Sequence, residues 1–372
     1  MTTRRQFTKS ALWLSSGLLL NNQIFAVQQP QSFMLTMPEE SDRHTRTWMS
    51  FVASDYVWSA QQIPEVKKNL ALIAKTIAKY EPVSMLVSAN DYDEAVLLLG
   101  NPSAYNFPID LVEFETDDLW LRDTGPVFVK SKQGKKYAID FNFNGWGNKQ
   151  EHSLDSQVAG FIGEHTNSII KQSTLTLEGG CFEVDGAGTA IMTKSCIINS
   201  NRNPGISQAA IEAELKSLLG LKKIIWLDGI KGKDITDAHT DFYARFTKPG
   251  EVVVSRENYR QSFDYELTRD NIEKLKNSKD AQGNTLNVII LDTPDEINEK
   301  FGSVSFAAGY IGYYLCNNAV IVQQFGDSIA DAKAKAVLAR VYPEREIEQI
   351  AIDTIASGGG TIHCATQQEI EV

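Results

Sequence analysis

Apolar residues along the chain recur at two spacings, one typical of helices and one of buried strands. Val66, Leu70, Ile73 and Ile77 follow Pro64 at helical spacing, and proline is favoured in the first turn of a helix. The same spacing predicts further helices near 153–165, 207–220, 262–276 and 327–341. Short β-rich runs alternate with them and predict strands at Val83–Val87, Tyr137–Phe143, Lys223–Leu227, Glu251–Ser255, Asn287–Leu291 and Ala319–Gln323.

Helices and strands alternate over most of the chain without an obvious linker. Five long helices, each beside several short strands, predict an α/β fold built from a repeated unit. The chain has 372 residues, of which 42% are apolar, so it can bury a large core. We therefore expect residues 27–372 to form one domain.

The N-terminal segment has the pattern of an export signal. A basic stretch, residues 3–9, precedes the apolar stretch Ala11–Leu20, which is far shorter than the roughly 20 residues that span a bilayer. Arg4 and Arg5, with Phe7 two residues later, resemble a twin-arginine signal; a general-secretion signal or a frayed basic tail is the alternative. We expect removal of residues 1–26 and a periplasmic protein without membrane contact.

Charge and cysteine content narrow the class of partner. The chain has 36 Lys and Arg against 47 Asp and Glu, a net charge of −11, which argues against non-specific nucleic-acid binding and suits a small cationic partner.

Its four cysteines, Cys181, Cys196, Cys316 and Cys364, lack C-x-x-C metal spacing. In an oxidising compartment an even number permits two disulfides, so pairing of Cys181 with Cys196 stays open.

Two segments place a carboxylate beside residues that permit close approach of the backbone. Asp123 precedes a Gly-Pro turn, and strand-like alternation puts it on the opposite face from Arg122. Glu178 is followed by Gly179 and Gly180, which allow the backbone to crowd against a ligand or another strand. Taken alone, the first segment is more typical of a surface acidic turn, and the second of a bulge.

Two later segments carry an imidazole and a thiol. His239 and Asp241 would share one face of a strand, where the acid can orient the imidazole or a ligand. His-x-Asp also occurs in metal sites, but only five histidines are present, without a cluster, so we expect neither a metal nor an organic cofactor. Cys364 follows three glycines in a short β-type run that puts it on the opposite face from His363. A single cysteine is more often a buried apolar residue than a nucleophile.

In this order, the four segments resemble the agmatine deiminase and bacterial (Porphyromonas-type) peptidylarginine deiminase family of guanidine-modifying enzymes. The resemblance extends over residues 37–368, and the strings around Asp123 and Cys364 are its most specific parts. It also includes Asn144-Gly145-Trp146-Gly147, Asn201-Arg202-Asn203-Pro204 and Ala244-Arg245-Phe246. The resemblance implies a pentein fold: a single-domain, five-bladed, pseudo-symmetric α/β propeller with the active site at its central axis.

The resemblance also implies roles for the side chains. Asp123 and Asp241 would hold a planar guanidinium through bidentate, charge-assisted hydrogen bonds. Cys364 would attack its central carbon and form a covalent amidino-thioether. His239 would protonate the departing nitrogen and later deprotonate water, while Glu178 would orient His239 and accept a guanidinium N–H. Trp120 or Trp146 would cover the distal ammonium of the substrate, unless both are core residues.

The chain departs from the family pattern ahead of its late strand. Gly309 and Gly312 stand where the family usually has Ser and Asn, and loss of the Asn side chain predicts extra space near the site. Gln323 stands where a proline is common, and residues 193–195 replace a run that often carries Glu. These differences affect the identity of the substrate more than the class of reaction.

Three functions are compatible with these residues. Agmatine, converted to N-carbamoylputrescine and ammonia, is the first choice by resemblance. Peptidylarginine or free arginine, converted to citrulline, is the alternative, because an exported enzyme could meet either. A non-catalytic periplasmic binder of guanidino compounds or polyamines is the third, although it would need neither Cys364 nor His239. The sequence leaves the oligomeric state open, so an oligomer is possible.

Overall fold

The computed structural model of the protein describes residues 35–298, 303 and 305–372. Its strands, in chain order, are β1 (Leu35–Thr36), β2 (His44–Phe51), β3 (Val83–Val87), β4 (Ile109–Glu113), β5 (Val127–Ser131), β6 (Lys136–Asp140), β7 (Ile169–Gln172), β8 (Phe182–Val184), β9 (Thr189–Thr193), β10 (Lys223–Leu227), β11 (Ala244–Lys248), β12 (Glu251–Arg256), β13 (Asn287–Asp292), β14 (Tyr314–Cys316), β15 (Ala319–Gln323), β16 (Glu346–Ile350) and β17 (Gln367–Ile370).

Helices lie between many of these strands, and the longer ones cross from one strand to a parallel neighbour. In chain order they are α1 (Ile63–Ile77), α2 (Tyr92–Leu99), α3 (Leu121–Thr124), α4 (Gly145–Asn148), α5 (Val158–His165), α6 (Lys194–Ile197), α7 (Gln208–Leu219), α8 (Tyr265–Lys276), α9 (Ser328–Val341) and α10 (Asp353–Ser357).

The described strands form five sheets that share one pattern of connections. In each sheet a first strand pairs antiparallel with a second, and the second pairs parallel with a third after a helical crossover. The sheets have the orders β1-β5-β6-β7, β10-β9-β8, β11-β12-β13, β14-β15-β16 and β17-β2-β3-β4. The crossover helices are α5, α7, α8, α9 and α1. The predicted α/β fold of repeated units is confirmed.

The helical spacing read from the sequence corresponds to the buried face of α1. Val66, Leu70, Ile73 and Ile77 are all fully buried and belong to one apolar cluster with residues of β2 and β3. Burial of such side chains contributes about 1.5–3 kcal/mol each. The cluster also contains Trp120, Trp146 and Cys364, so the wall behind the predicted site is part of the core.

Two predicted elements are shorter than expected. The strand predicted over Tyr137–Phe143 ends at Asp140, because Asn142 is left-handed, with a φ of 55°. Its side-chain amide donates to the carbonyl groups of Ser173 and Leu175, at 2.8 and 2.9 Å. In the helix predicted near 153–165, a 3₁₀ turn precedes the α-helix, which begins at Val158.

The predicted export signal, residues 1–26, lies outside the described residues and stays a prediction. Among the residues that the structure describes, every helix is too short or too polar to cross a lipid bilayer.

Candidate active site

The predicted site residues occupy equivalent positions in four of the repeated units. Asp123 lies four residues before β5, Glu178 four before β8, Asp241 three before β11 and Cys364 three before β17. Each of these strands is the first in its unit. The turn before the first strand is therefore the place from which this fold supplies its polar side chains.

The local structure at these positions differs from the predicted strand-like runs. Asp123 lies in the one-turn helix α3, His239 precedes a 3₁₀ turn at Thr240–Phe242, and Cys364 lies in a turn. Asp237 and Ala238 have left-handed φ values of 63° and 71°, which an extended strand excludes. The expectation that His239 and Asp241 share one face of a strand was thus wrong, because this segment is not a strand.

Gly180 explains why two glycines follow Glu178. A Cβ atom on Gly180 would lie 2.5 Å from Nδ1 of His239 and 3.1 Å from a carboxylate oxygen of both Asp123 and Asp241. A Cβ on Gly179 would overlap the carbonyl oxygen of Arg122. Only glycine leaves room for these side chains, so three of the predicted residues converge on the backbone of Gly180.

Asp123 is held by two donors and faces other charged groups. The indole N–H of Trp146 donates to its Oδ2 at 2.9 Å, and the backbone N–H of Gly180 donates to its Oδ1 at 3.2 Å. Burial raises the pKa of Asp123 to about 6, and neighbouring Asp241 and Glu178 add to the increase, against the lowering effect of His239. Asp123 therefore takes up a proton near neutral pH more readily than an exposed aspartate.

His239 lies between carboxylates. Its Nε2 is 3.2 Å from Oε2 of Glu178, and its Nδ1 is 3.7 Å from Oδ1 of Asp123. Burial opposes charge on this imidazole, but its contacts with Cys181, Asp123 and Glu178 outweigh burial and raise the pKa of His239 well above its usual value. The ring is thus poised to be a proton donor, with Nδ1 on the side of Asp123.

Glu178 is fixed from its far side by Arg202. The Nε of Arg202 donates to both oxygens of Glu178, at 2.7 and 3.0 Å, and both side chains are fully buried. Burial opposes ionisation of Glu178, but Arg202 outweighs it and lowers the pKa of Glu178 to about 2. Arg202 thus keeps Glu178 ionised, so that a carboxylate lies beside His239.

Asp241 has one satisfied and one unsatisfied oxygen. Nδ1 of His363 donates to Oδ2 at 2.7 Å, and Nε2 of His363 is 2.8 Å from Oε2 of Glu40. Glu40 in turn pairs with Arg245 at 2.8 Å and Arg122 at 3.1 Å. Oδ1 of Asp241 is buried and has no hydrogen-bond partner in the described part of the chain, which leaves an acceptor for a ligand.

Asp123, which lies beside His239, also acts electrostatically on Cys364. The Cys364 thiol is 3.3 Å from the hydroxyl of Thr361, and the residue is 6% exposed, which leaves a narrow approach. Burial raises the pKa of Cys364 well above its usual value, and Asp241 and Asp123 raise it further. In the empty site the sulfur is a neutral thiol, and a cation bound between the two aspartates would favour the thiolate.

The two candidate tryptophans have different positions. Trp146 is a buried residue that orients Asp123 through its indole N–H rather than a cover over the site. Trp120 is 7% exposed, and Gly360 packs directly against its ring. The neighbouring Trp58 ring packs in the same way against Gly358. The glycines before Cys364 thus let the backbone lie against two indoles.

Glu178, Cys181 and His239 form the one cluster of described residues with a spacing suited to a metal ion. Their ligand atoms lie within 4.8 Å of one another. The guanidinium of Arg202, however, already occupies both oxygens of Glu178, and a second cation there would be repelled. The cluster does not fit a resident metal ion.

All four cysteines are buried free thiols, including Cys181 and Cys196, whose pairing the sequence left open. Cys181 donates to Oε2 of Glu178 at 3.0 Å, and the thiol of Cys196 lies beside the carbonyl of Thr193 at 3.2 Å. Cys181 is therefore a polar contact of the site rather than half of a disulfide.

The space expected beside Gly312 is absent. A Cβ atom on Gly312 would lie closer than 3.0 Å to three side-chain atoms of Thr361. The side chain of Thr361 therefore fills the place that the sequence comparison left empty, and the expectation of an opened pocket was wrong.

Sequence reasoning missed several residues that support the site. Arg202, Arg245 and Trp146 belong to motifs that carried the resemblance, but their contacts with Glu178, Glu40 and Asp123 were not foreseen. His363 was noted only as the neighbour of Cys364, and Glu40 was not singled out in the sequence at all. Both are buried, which a sequence does not reveal for a polar side chain.

The pKa of Asp123 predicts how ligand affinity depends on pH. A guanidinium keeps its charge across the neutral range, whereas Asp123 is protonated below pH about 6. Affinity for a guanidinium ligand should be constant from pH 7 to 8 and fall by about tenfold per unit well below pH 6. Asp241, whose pKa is lowered, should not contribute to this loss. Calorimetry of a Cys364→Ala variant with agmatine would measure the effect without turnover.

Asp93→Asn is a matched control for this experiment, because Asp93 is an exposed aspartate on α2. It should leave the pH profile unchanged. An affinity that stays constant from pH 5 to 8 would contradict the assignment of Asp123 to the binding site.

Comparison with known proteins identifies the family. The family model of Porphyromonas-type peptidyl-arginine deiminase matches residues 36–369. Agmatine deiminase of Pseudomonas fluorescens is 34% identical over 362 residues, covering 91% of this chain and 96% of that protein. The corresponding protein of Pseudomonas aeruginosa is 33% identical with the same coverage. The solved structure of agmatine deiminase of Enterococcus faecalis has a TM-score of 0.84 and 30% identity, covering 91% of this chain and 96% of that one.

The family match spans every segment that forms the site, from Glu40 to Cys364. The resemblance read from the sequence is thereby confirmed, and the chain belongs to the Porphyromonas-type peptidyl-arginine deiminase family.

Proposed function

We propose that this protein hydrolyses the guanidino group of a small cationic substrate, agmatine, to N-carbamoylputrescine and ammonia. The observation that carries the proposal is the buried Oδ1 of Asp241, which has no hydrogen-bond partner among the described residues. The same carboxylate converges with Asp123 and His239 on Gly180 and raises the pKa of Cys364. An acceptor in this position calls for a ligand with N–H donors and positive charge. Relatives of similar length are named agmatine deiminase.

Binding in this scheme uses the two aspartates. The planar guanidinium presents a fork of N–H donors to Asp241 and Asp123, whose mutual repulsion it relieves. Its positive charge also offsets the two carboxylates that raise the pKa of Cys364. Substrate binding therefore favours the thiolate at the moment when a nucleophile is needed.

The first half of the reaction breaks the C–N bond. The sulfur of Cys364 attacks the guanidinium carbon, and a C–S bond forms. The imidazolium of His239 gives a proton to the departing nitrogen, so ammonia leaves and an amidino-thioether cation remains on Cys364. The raised pKa of His239 keeps the required proton on the ring at neutral pH.

The second half releases the product. The neutral His239 now accepts a proton from water, and the oxygen attacks the same carbon. The C–S bond breaks and its electron pair returns to Cys364. The hydroxyl group of the adduct passes its remaining proton to this sulfur, which restores the thiol and leaves a neutral ureido group. The distal ammonium keeps its charge, but the ureido group is neutral. It therefore loses the charge-assisted contacts with the aspartates, and the product dissociates.

Peptidylarginine and free arginine remain the second candidates, because the family name and the predicted export signal point towards such substrates. Arginine carries an α-carboxylate that agmatine lacks. Asp123 and Asp241 would repel that group, whereas the charge of Glu178 is balanced by Arg202. This charge balance favours agmatine over free arginine.

A panel of three substrates tests the proposed function. Purified protein is mixed with agmatine, arginine or a capped arginyl peptide, and both ammonia and ureido product are measured. We expect turnover of agmatine with a kcat/KM at least tenfold above that of the other two, roughly the difference of one charged contact. Tight binding of agmatine without ammonia release would instead favour the non-catalytic binder.

A further inference from the structure

Thr361 is the described hydrogen-bond partner of the Cys364 sulfur. Its hydroxyl lies 3.3 Å from Sγ, and both residues are buried. While the sulfur is a thiol, either atom can be the donor. Once the sulfur is a thiolate it can only accept, so the hydroxyl must donate to it. This contact therefore strengthens in the charged form of the nucleophile.

Gly312 leaves room for the Thr361 side chain in this orientation. A Cβ on residue 312 would overlap Oγ1, Cβ and Cγ2 of Thr361. Gly312 is not among the residues with positive φ, so glycine is needed here for space and not for backbone conformation. The backbone N–H of His363 also donates to the carbonyl of Gly312 at 3.1 Å. This backbone hydrogen bond joins the two segments two residues after Thr361.

We propose that Thr361 is a positioning residue that donates a hydrogen bond to the Cys364 thiolate, and that Gly312 makes room for it. The inference rests on the proposed function only in treating Cys364 as the nucleophile. It assigns to the Gly312–Thr361 pair a role in orienting the sulfur towards the substrate. The hydroxyl also counteracts the two aspartates, which disfavour negative charge on that sulfur.

Alkylation of Cys364 by iodoacetamide tests this proposal independently of turnover. The rate is followed on the Cys364 peptide by mass spectrometry from pH 6 to 10, because alkylation reports the fraction of thiolate. Thr361→Val removes the hydroxyl and nearly keeps the shape. We expect alkylation about tenfold slower at neutral pH, with the profile displaced to higher pH. Thr361→Ser should restore the wild-type profile.

Thr366→Val is the matched control. Thr366 lies in the same turn and is equally buried, but its hydroxyl donates to the carbonyl groups of Ile362 and His363, at 2.9 and 3.1 Å. Its loss should lower thermal stability without displacing the alkylation profile. Equal slowing in the Thr361 and Thr366 variants would overturn the proposal, as would wild-type alkylation of Thr361→Val or failure of Thr361→Ser to restore it.

Gly312→Ala tests the second half of the proposal. The added methyl group should displace Thr361 and slow alkylation of Cys364, although residue 312 does not touch the sulfur. The double variant Gly312→Ala/Thr361→Gly should recover stability but keep slow alkylation. Wild-type alkylation in Gly312→Ala would remove Gly312 from the proposal. If Thr361→Val does not fold, Thr361→Ala replaces it in the same comparison.

Turnover of agmatine by the same variants separates this inference from the proposed function. A drop in kcat for Thr361→Val with KM nearly unchanged is expected, since the hydroxyl contacts sulfur and not the substrate. Lack of turnover by the wild-type protein would defeat the proposed function but leave the alkylation comparison intact. A rise in KM alone would overturn the assignment of Thr361 to the nucleophile.

Discussion

Replacement of Cys364 by alanine is expected to abolish ammonia release from agmatine, with a loss in kcat of about 10⁴-fold or more. No other thiol can substitute: Cys181 is turned towards Glu178, Cys196 towards the carbonyl of Thr193, and Cys316 is buried in β14. The aspartates and His239 remain in place, so the variant should still bind agmatine. Calorimetry would measure the binding, and an ammonia assay the rate.

Cys316→Ala is the control for this substitution. It removes a buried thiol of the same size from another sheet and should cost stability while leaving kcat near the wild-type value. Ammonia release by Cys364→Ala at more than a few per cent of the wild-type rate would exclude covalent catalysis by this residue.

Replacement of His239 by glutamine is expected to lower kcat by about 10²–10⁴-fold. Glutamine can keep the hydrogen bond to Glu178, but it cannot carry the proton that ammonia needs on leaving. The wild-type rate should fall at alkaline pH as His239 loses its proton, and the raised pKa of His239 places that loss above the usual range for histidine. KM should change only a few-fold, because the aspartates bind the guanidinium.

Stopped-flow and steady-state kinetics across pH would measure these quantities. His165→Gln is a suitable control, since His165 lies on α5 and packs edge-on against Trp48, and it should keep the wild-type kcat. A His239→Gln variant whose kcat lies within threefold of wild type would refute proton transfer by this residue.

Much of the fold could be predicted from the sequence, because the apolar pattern within each repeated unit agrees with its secondary structure. The helix α1 and the strands β3, β10 and β15 have the bounds or the buried residues that their apolar patterns predict. Those patterns depend only on which face of an element meets the core. The pairing of β17 with β2 was not foreseen, because strands so distant in sequence leave no local pattern.

The sequence predicted which residues form the site, but not the backbone geometry that positions them. Cys364, His239 and the acids were found through their motifs, whereas strand alternation misdescribed the turns that hold them. Asp237 and Ala238 have a left-handed backbone, which is unusual for residues other than glycine. The residue types at these positions therefore do not predict it. The contact between Thr361 and Gly312 joins residues about fifty positions apart, and only coordinates reveal it.

The pairing of β17 with β2 has a consequence for the timing of biosynthesis. On the ribosome, β17, which pairs with β2 and directly follows the Cys364 turn, is made after the other described units. Earlier units can fold as they emerge, but their acids and imidazole face an incomplete centre until this last segment docks. Under the proposed mechanism, the growing polypeptide is therefore inactive until the segment from Cys364 to β17 has docked against β2.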